Sequence, residues 1–385
     1  MPQCLLDQII PRGRGGRHYQ NRTPVYHFRT GRVFAGQARR KRVGKLVQRV
    51  PSRYYAVLGQ LLRAQTAECE RLLANAGIDA RALDDPDGTL TITELEALVD
   101  VVSRMTGRAD LGFEVGRLVR LNSHGPLGYA LLSSRTMDQV VRLCVRYYHL
   151  IVPIFKMRYE RHARFAEITF APCAVMHQRT LQFFLEALAM SFHVQAQMIL
   201  GPDNEGYDVY LSMESPPHLN RYLGSAPARF HFGERRVAGV TVKIAASLLD
   251  KPLPMADESV VRRTEAQCDT LSPKATQINE WGEFIAMMLR ASENLQVTLE
   301  DVARSLNVTP RTVNRYLSKE SLSFRDISQR VRFERACDLL DAGELNVSQI
   351  ASRLGFSDVA NFSRGFRRYK GISPTGYLES RAASR

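Results

Sequence analysis

The stretch TLEDVARSLNVTPRTVNRYL, Thr298 to Leu317, decides the fold of the C-terminal part of the chain, because the chain repeats its pattern soon afterwards. The second copy is NVSQIASRLGFSDVANFSRGF, Asn346 to Phe366. The two copies align at an offset of 48 as far as Ser357 and at an offset of 49 from Phe362 onwards. The second copy therefore carries one extra residue at its turn. The repeat predicts one supersecondary unit built twice.

The first half of each copy has the signals of a short amphipathic helix. Thr298 with Asp301, and Asn346 with Gln349, have the spacing of a capping box, in which two side chains satisfy the first backbone N–H groups of a helix. The apolar positions of each helix recur at a spacing of four and predict its inward face: Val302 and Leu306, then Ile350 and Leu354.

The second half of each copy predicts a turn and a further helix. Asn307 or Gly355 suits the turn, where a positive φ is needed. Thr309 followed by Pro310 predicts a helix start, because a threonine hydroxyl caps the helix and proline is tolerated in its first turn. Ser357 is the predicted cap of the later helix in the second copy. Each copy is thus predicted to be a helix-turn-helix unit.

The outward faces of the two later helices carry the sequences RTVNR and DVANFSR. Arginine pairs with guanine and asparagine with adenine at base edges in the major groove, so these faces favour DNA recognition. The alternative is a plain helical bundle with these side chains in solvent. Two copies with matching caps and a matching arginine favour the helix-turn-helix interpretation.

The segment between the copies, SFRDISQRVRFERACDLLDAGE, predicts one long helix from Ser323, paired with Asp326 as a capping box, to Gly343. About twenty helical residues span roughly 30 Å. Successive major-groove faces on one side of B-DNA lie about 34 Å apart. We expect the duplication to let one chain place two recognition helices in adjacent grooves.

Residues 281–385 resemble the DNA-binding domain of the AraC/XylS family of transcription regulators. The resemblance is carried by NVSQIASRLGFSDVANFSRGFRRYKGISPTGYL, which ends in G-x-S-P-x-x-Y at Gly371, Ser373, Pro374 and Tyr377. It implies specific binding of promoter or operator duplex DNA, an activator function and RNA polymerase as a partner. Repression and the oligomeric state, homodimer included, stay open.

The resemblance also assigns roles to individual side chains. It implies base-reading positions in both later helices: Arg311, Asn314, Arg315, Val359, Ala360, Ser363 and Arg364. Val359 and Ala360 have no hydrogen-bonding side chain, so we expect them to contact thymine methyl groups or to read weakly. Contacts to DNA phosphates are expected from Lys319, Arg325, Arg367, Arg368 and Lys370.

The part before this domain has mixed periodicity. Helical spacing extends over 54–76 and through TITELEALVDVVSRMTG and TMDQVVRLCVRYYHLI, whereas FAEITF alternates as a strand does. TLQFFLEALAMSFHVQAQMIL is apolar on more than one face and predicts a buried central helix. The fold class is therefore an α+β N-terminal domain followed by an all-α domain with two helix-turn-helix units, about 298–319 and 346–369, joined by a long helix. The expected boundaries are 52–255 for the α+β domain, 256–277 for a linker and 278–385 for the DNA-binding domain.

Residues 54–255 contain the stretches GPLGYALLSSRTMDQVVRLCVRYYHLI, ARFHFG and LLDKPLPMAD. Through these stretches they resemble, less sharply, the arabinose-binding-type sensor domain of one branch of that family. The resemblance implies a pocket for a small-molecule effector whose identity the residues do not give. RYYHL, residues 146–150, is a candidate wall of that pocket. A domain used only for oligomerisation is the alternative.

The first 53 residues hold 13 Arg and Lys and a single acid, so most of the net charge of +14 lies there. This stretch lacks helical or strand periodicity and has few aliphatic side chains, and we expect a disordered basic leader over 1–51. Its ARRKR run suits contact with nucleic acid or anionic lipid. A dispensable tail, or a native start nearer Ser52, is the alternative.

No catalytic motif stands out: the chain lacks G-x-S-x-G, H-E-x-x-H and G-x-G-x-x-G. The six cysteines are far apart and the nine histidines scattered, which argues against a metal site and favours reduced thiols in a cytoplasmic protein. His193 is expected to be a hydrogen-bonded core residue. We therefore expect no enzyme, no cofactor and no membrane partner; a metabolite-binding or catalytic domain with a DNA anchor is the alternative function.

Overall fold

A computed structural model describes residues 49–201, 204–234, 237–271, 278, 280–292, 297–306 and 308–382. The predicted leader, apart from residues 49–51, and the predicted turn residue Asn307 lie outside these ranges.

Short helices open the N-terminal domain. A two-stranded antiparallel sheet, β1 (Arg49–Pro51) with β2 (Thr89–Thr91), holds its start. The helices are α1 Ala56–Gln65, α2 Cys69–Asn75, α3 Ala80–Asp84, α4 Ile92–Thr106, α5 Leu111–Leu118, α6 Pro126–Leu132 and α7 Met137–Tyr147.

The prediction of one helix over 54–76 is wrong, since α1 and α2 are separate. Thr66 is extended, with φ −153° and ψ 141°. Its hydroxyl accepts a hydrogen bond from the backbone N–H of Glu68 at 3.1 Å. A threonine side chain that bonds the local backbone competes with helix continuation, which accounts for the break.

A five-stranded sheet follows, in the order β3-β4-β7-β5-β6, with all neighbours antiparallel except the parallel pair β5 and β6. The predicted alternation of FAEITF is confirmed: Ala166, Ile168 and Phe170 of β4 are buried and the residues between them are half-buried. The strands are β3 Phe155–Arg161, β4 Phe165–Pro172, β5 Tyr207–Leu211, β6 Ala228–Phe232 and β7 Val240–Ala245.

The long helix α8, Gln178–Leu200, packs against α5 and against the sheet. It is the one helix among the described residues that is long and apolar enough to cross a bilayer. More than half of its apolar window is buried inside the protein, 56%. It is therefore the central core helix that the sequence predicts.

The described part of the segment predicted as a linker, residues 256–271, is largely helical. After the short helix α9 (Ala246–Leu249), residues Glu258–Leu271 form α10, which packs on α6. Val261, Thr264 and Cys268 of α10 are buried. Its composition is polar because only one face of the helix is covered. That face packs on α6, so the helix is part of the α+β domain.

The described residues of the C-terminal domain form helices and no strand. The first helix-turn-helix unit is α12 with α13, the second is α15 with α16, and α14 joins them. Its helices are α11 Trp281–Arg290, α12 Leu299–Ser305, α13 Pro310–Lys319, α14 Phe324–Ala342, α15 Val347–Arg353, α16 Val359–Lys370 and α17 Pro374–Ala382. With 19 residues, α14 is about 28 Å long.

Candidate DNA-binding surface and ligand cavity

The predicted capping boxes start α12 and α15. The backbone N–H of Asp301 donates to the Thr298 hydroxyl at 3.1 Å, and the Thr298 N–H donates back to the Asp301 carboxylate at 3.0 Å. Asn346 and Gln349 repeat the pair with two bonds of 2.9 Å. In the second unit the turn is made by Gly355 at a φ of 75°.

The first recognition helix, α13, has an apolar inward face and a polar outward one. Thr309 caps it and Pro310 occupies its first turn, as predicted. Val313 and Leu317 are fully buried. The outward side chains are exposed and line one open hollow; they include Arg311, Asn314, Arg315 and Lys319. The fold thus gathers three predicted base-reading residues and one predicted phosphate residue on one surface.

An aromatic stack holds α13 in place. The Tyr316 ring lies 4.6 Å from that of Trp281 in α11, at an interplanar angle of 2°. The guanidinium carbon of Arg315 and the ammonium of Lys319 lie 5.4 and 5.3 Å from the centre of the Tyr316 ring. Both cations are attracted to the aromatic face, so they stand beside each other along the helix.

The predicted cap of the second recognition helix, Ser357, is wrong: the cap of α16 is Asp358. The Asp358 carboxylate accepts from the backbone N–H of Asn361 at 2.6 Å, and the Ser357 hydroxyl donates to that carboxylate at 3.1 Å. Asp358 corresponds to Thr309 at an offset of 49. The extra residue of the second copy therefore lies before the cap.

The outward face of α16 is less polar than that of α13. Val359 and Ala360 are exposed in its first turn, Ser363 is half-buried and Arg364 is exposed. Arg364 donates to the side-chain oxygen of Asn361 at 2.5 Å. Asn361 is an exposed polar residue that the resemblance did not point to, although the outward sequence DVANFSR contains it.

The other predicted phosphate residues lie at helix ends. Arg325 is in the first turn of α14, and Arg367, Arg368 and Lys370 are in the last turn of α16. All four are exposed. Cations at a helix C-terminus interact favourably with its partial negative charge, so the last three also stabilise α16.

The C-terminal signature closes the second unit. Gly371 ends α16 at a φ of 81°. The Ser373 hydroxyl accepts from the Gly376 N–H at 3.1 Å. The Tyr377 ring meets Phe366 edge-on at 5.7 Å, and its hydroxyl donates to Asp341 of α14 at 3.3 Å. These residues therefore fasten α17 and α16 to the joining helix.

A cavity lies in the N-terminal domain between α5, α7, α8 and the sheet. It contains about 860 Å³ of space free of atoms, counting solvent at its mouth. Its wall is mainly apolar and includes Val115, Met137, Phe170 and Phe184. Tyr148, from the predicted RYYHL wall, also lines it, whereas the neighbouring His149 is not part of the wall.

A polar chain enters this cavity. The Tyr54 hydroxyl lies 2.9 Å from Nδ1 of His124, and Nε2 of His124 lies 3.1 Å from Oε1 of Gln195. Burial lowers the pKa of His124 to about 4, with the hydrogen bond to Gln195 opposing the shift. The imidazole is therefore neutral at physiological pH.

A second hollow, the charged cleft, lies beside the N-terminal half of α8 and the loop at 213–218. Its charges are already matched. Nε2 of His218 lies 2.6 Å from the Glu186 carboxylate, which also accepts from the Tyr222 hydroxyl at 2.9 Å. Arg179 donates to Asp100 at 2.5 Å.

Other candidate ligating groups have structural partners. Nδ1 of His193 lies 3.0 Å from the Tyr207 hydroxyl in the core, so the predicted core histidine is confirmed. Within the part of the chain that the structure describes, no cluster of three or more His, Cys, Asp or Glu side chains is placed to hold a metal ion.

Comparison with known proteins agrees with this arrangement. Residues 67–253 match the model of the arabinose-binding domain of AraC transcription regulators, and residues 302–380 match a helix-turn-helix domain model. An HTH-type transcriptional regulator of Mycobacterium tuberculosis is 28% identical over 325 residues, which are 80% of this chain and 89% of the relative. The ornithine utilization regulator of Pseudomonas aeruginosa is 24% identical over 331 residues, 86% of this chain and 96% of the relative.

Among solved structures, the transcriptional regulator CdpR from Pseudomonas aeruginosa is 21% identical, with a TM-score of 0.39 over 80% of this chain and 96% of its own. Both family models match in the expected order along one polypeptide, and together they span most of it. The chain belongs to the AraC/XylS family of transcription regulators, with an N-terminal domain of the arabinose-binding type.

Proposed function

We propose that this regulator is a cytoplasmic transcription activator that binds a promoter site through both helix-turn-helix units, and whose DNA affinity is set by a small molecule bound in the N-terminal domain. RNA polymerase is its proposed partner at the promoter, and the protein acts without catalysing a reaction. The observation that carries the proposal is the exposed face of α13, where Arg311, Asn314, Arg315 and Lys319 line one hollow above a fully buried apolar face.

Each recognition helix has a proposed set of contacts. In α13, Arg311 and Arg315 suit bidentate bonds to guanine, and Asn314 suits adenine. In α16, Val359 and Ala360 suit thymine methyl groups, with Ser363 and Arg364 beside them. Phosphate contacts, which position the protein without reading sequence, are proposed for Lys319, Arg325, Arg367, Arg368 and Lys370.

A matched pair of substitutions tests these roles. Arg315→Ala should cost about 1–3 kcal/mol at the cognate site and relax preference at one base pair. Lys319→Ala should weaken every duplex alike and reduce the salt dependence of binding, because one counterion fewer is released. The assay is selection from a random duplex pool followed by titration of the selected site at several salt concentrations.

The control for this pair is Arg71→Ala, which removes an arginine whose side chain is 75% exposed in the N-terminal domain. Its selected sequences and affinity should equal those of the unchanged protein. Equal, sequence-blind losses for Arg315→Ala and Lys319→Ala would assign Arg315 to the backbone instead of a base.

Contacts between the two domains support the proposed control by a ligand. The backbone N–H of Met176, just before α8, lies 3.4 Å from the sulfur of Met287 in α11. In β3, Arg158 donates to the backbone oxygen of Arg304 in α12 at 2.5 Å. Helix α8 and strand β3 also contribute walls of the cavity. A ligand that moves α8 or β3 therefore also shifts the contacts of α11 and α12, the two helices beside α13.

Control by a ligand has a thermodynamic test. A ligand shifts DNA binding only if it binds the two states differently, and DNA must then change the ligand's affinity by the same factor. Any small molecule that raises the melting temperature of the full chain is titrated calorimetrically with and without the selected duplex. Identical affinities in both titrations would refute control through this domain.

A further inference from the structure

The wall of the cavity carries no fixed charge. Of the 24 described residues that line it, none is Asp, Glu, Lys or Arg. The pKa of its cysteine, Cys144, is raised to about 12 by burial, so this thiol stays protonated. An ionised carboxylate or ammonium that entered would lose its hydration without gaining a counter-charge from the wall, which weakens its binding. A metabolite that carried a charge into the cavity would therefore bind weakly, since Arg53, beside the wall, already donates to the Tyr54 hydroxyl and to the Ser123 carbonyl.

The polar chain in the wall has a direction. Arg53 donates to the Tyr54 hydroxyl at 3.3 Å. Oε1 of Gln195 can only accept, so the ring proton of the neutral His124 lies on Nε2 and is donated to that oxygen, and Nδ1 accepts from the Tyr54 hydroxyl. Each group in the chain therefore donates a hydrogen bond to the next one. The chain ends at the Gln195 amide nitrogen, which makes no hydrogen bond to another side chain or backbone group among the described residues.

We infer that this cavity binds a neutral, mainly apolar small molecule whose hydrogen-bond acceptor, a carbonyl or hydroxyl oxygen, meets the side-chain amide of Gln195. The inference rests on the proposed function only in taking this domain as the effector-binding part of the chain. The charged cleft is a second hollow in the described N-terminal domain, but the carboxylate of Glu186 and the guanidinium of Arg179 in it already have protein partners.

A neutral dye and a matched set of competitors test the ligand class. The full chain is titrated with N-phenyl-1-naphthylamine, whose fluorescence rises in apolar surroundings. Octanone, octanol, octanoate and octylammonium, which share one alkyl chain length, then compete at pH 8. Octanone and octanol should displace the dye at concentrations at least tenfold lower than the two ions, because the ions lose hydration in a wall without counter-charges. Tenfold corresponds to about 1.4 kcal/mol of binding free energy.

Substitutions at Gln195 test the acceptor contact. Gln195→Glu replaces the donor by a carboxylate of the same shape, so octanone should bind about tenfold more weakly and octylammonium more tightly than before. Gln195→Met keeps the length and removes the amide; it should keep dye binding and lose the advantage of octanone. The control is Gln197→Glu, two residues along α8, whose side chain donates to the Ala226 carbonyl at 3.5 Å outside the cavity wall. It should bind every competitor as the unchanged protein does.

The outcomes separate this inference from the proposed function. Displacement of the dye by octanoate or octylammonium as effective as by octanone would overturn the inference. The inference would also be overturned if a charged solute such as L-lysine altered duplex affinity without displacing the dye, because the effector would then bind outside this cavity. Control of DNA binding by a ligand would still stand. If octanone displaces the dye as expected and leaves duplex affinity unchanged, the ligand class is supported and the proposed control of DNA binding is refuted.

Discussion

Adding one methyl group at Gly116 should separate α5 from α8 and loosen the cavity. A Cβ atom at Gly116 would lie 2.6 Å from the backbone oxygen of Ala187, and one at Gly112, a turn earlier, would lie 2.3 Å from that of Phe183. Backbone atoms of a buried helix cannot swing aside as a side-chain end can. The two helices therefore approach closely only because both positions are glycine.

The magnitude of Gly116→Ala follows from two opposing effects. Alanine in a helix is favoured over glycine by about 0.5–1 kcal/mol. Overpacking a core costs about 1–3 kcal/mol, and relief here requires moving a whole helix, so we take the upper part of that range. The expected net loss is about 1–2 kcal/mol in the unfolding free energy of the N-terminal domain. Val115 and Ala187 beside this contact line the cavity, so binding of N-phenyl-1-naphthylamine should weaken too.

The assay is urea unfolding of the full chain with dye fluorescence on the same samples. Gly224→Ala is the matched control, because a Cβ there meets nothing within 4 Å; its stability should change by less than about 0.5 kcal/mol. An unchanged or raised stability for Gly116→Ala would refute the close approach of α5 and α8, since helix propensity would then be the only effect.

Three further changes have defined outcomes. Asp358→Ala should cost about 1 kcal/mol by uncapping α16, measured by thermal unfolding, whereas Ser357→Ala should cost less because Ser357 is not the cap. Glu320→Ala should destabilise the C-terminal domain by about 1–3 kcal/mol, because its carboxylate accepts two backbone N–H groups at the start of α11 at 2.8 and 2.9 Å. The folded-state pKa of His124, about 4, lies below its ordinary value of 6.5, so the unfolded chain binds more protons between these values. Stability should fall by up to about 3 kcal/mol as pH drops through that window, and His124→Gln should abolish that part of the pH dependence in urea unfolding.

Local signals in the sequence predicted the C-terminal domain well. The caps at Thr298, Thr309 and Asn346 depend on neighbours three residues away, so the sequence shows both partners at once. The error at Ser357 has the same origin. Both Ser357 and Asp358 are good capping residues, and only the position of the first helical turn separates them.

Features that depend on contacts between distant parts of the chain could not be predicted from the sequence. The packing of helix α10 was not predicted, because Val261 and Cys268 form a narrow apolar stripe whose partner, α6, lies far away along the chain. The cavity is assembled from residues between Tyr54 and Ile199, each of which alone resembles an ordinary core residue. The absence of charge from its wall becomes visible only when the fold brings these residues together.

The two helix-turn-helix units have the same fold, but the outward side chains of their second helices differ. At the offset of 49, Arg311 and Asn314 of α13 correspond to Ala360 and Ser363 of α16, so the second helix has lost the long hydrogen-bonding side chains at two of its outward positions. It keeps Arg364, and three cations follow in its last turn. Contacts to phosphates supply affinity and fix orientation, whereas bidentate contacts to bases supply sequence preference. On the proposed roles, the second unit therefore contributes more to phosphate binding than to sequence preference. Through the joining helix it holds the first unit in register, and the first unit makes most of the bidentate contacts to bases.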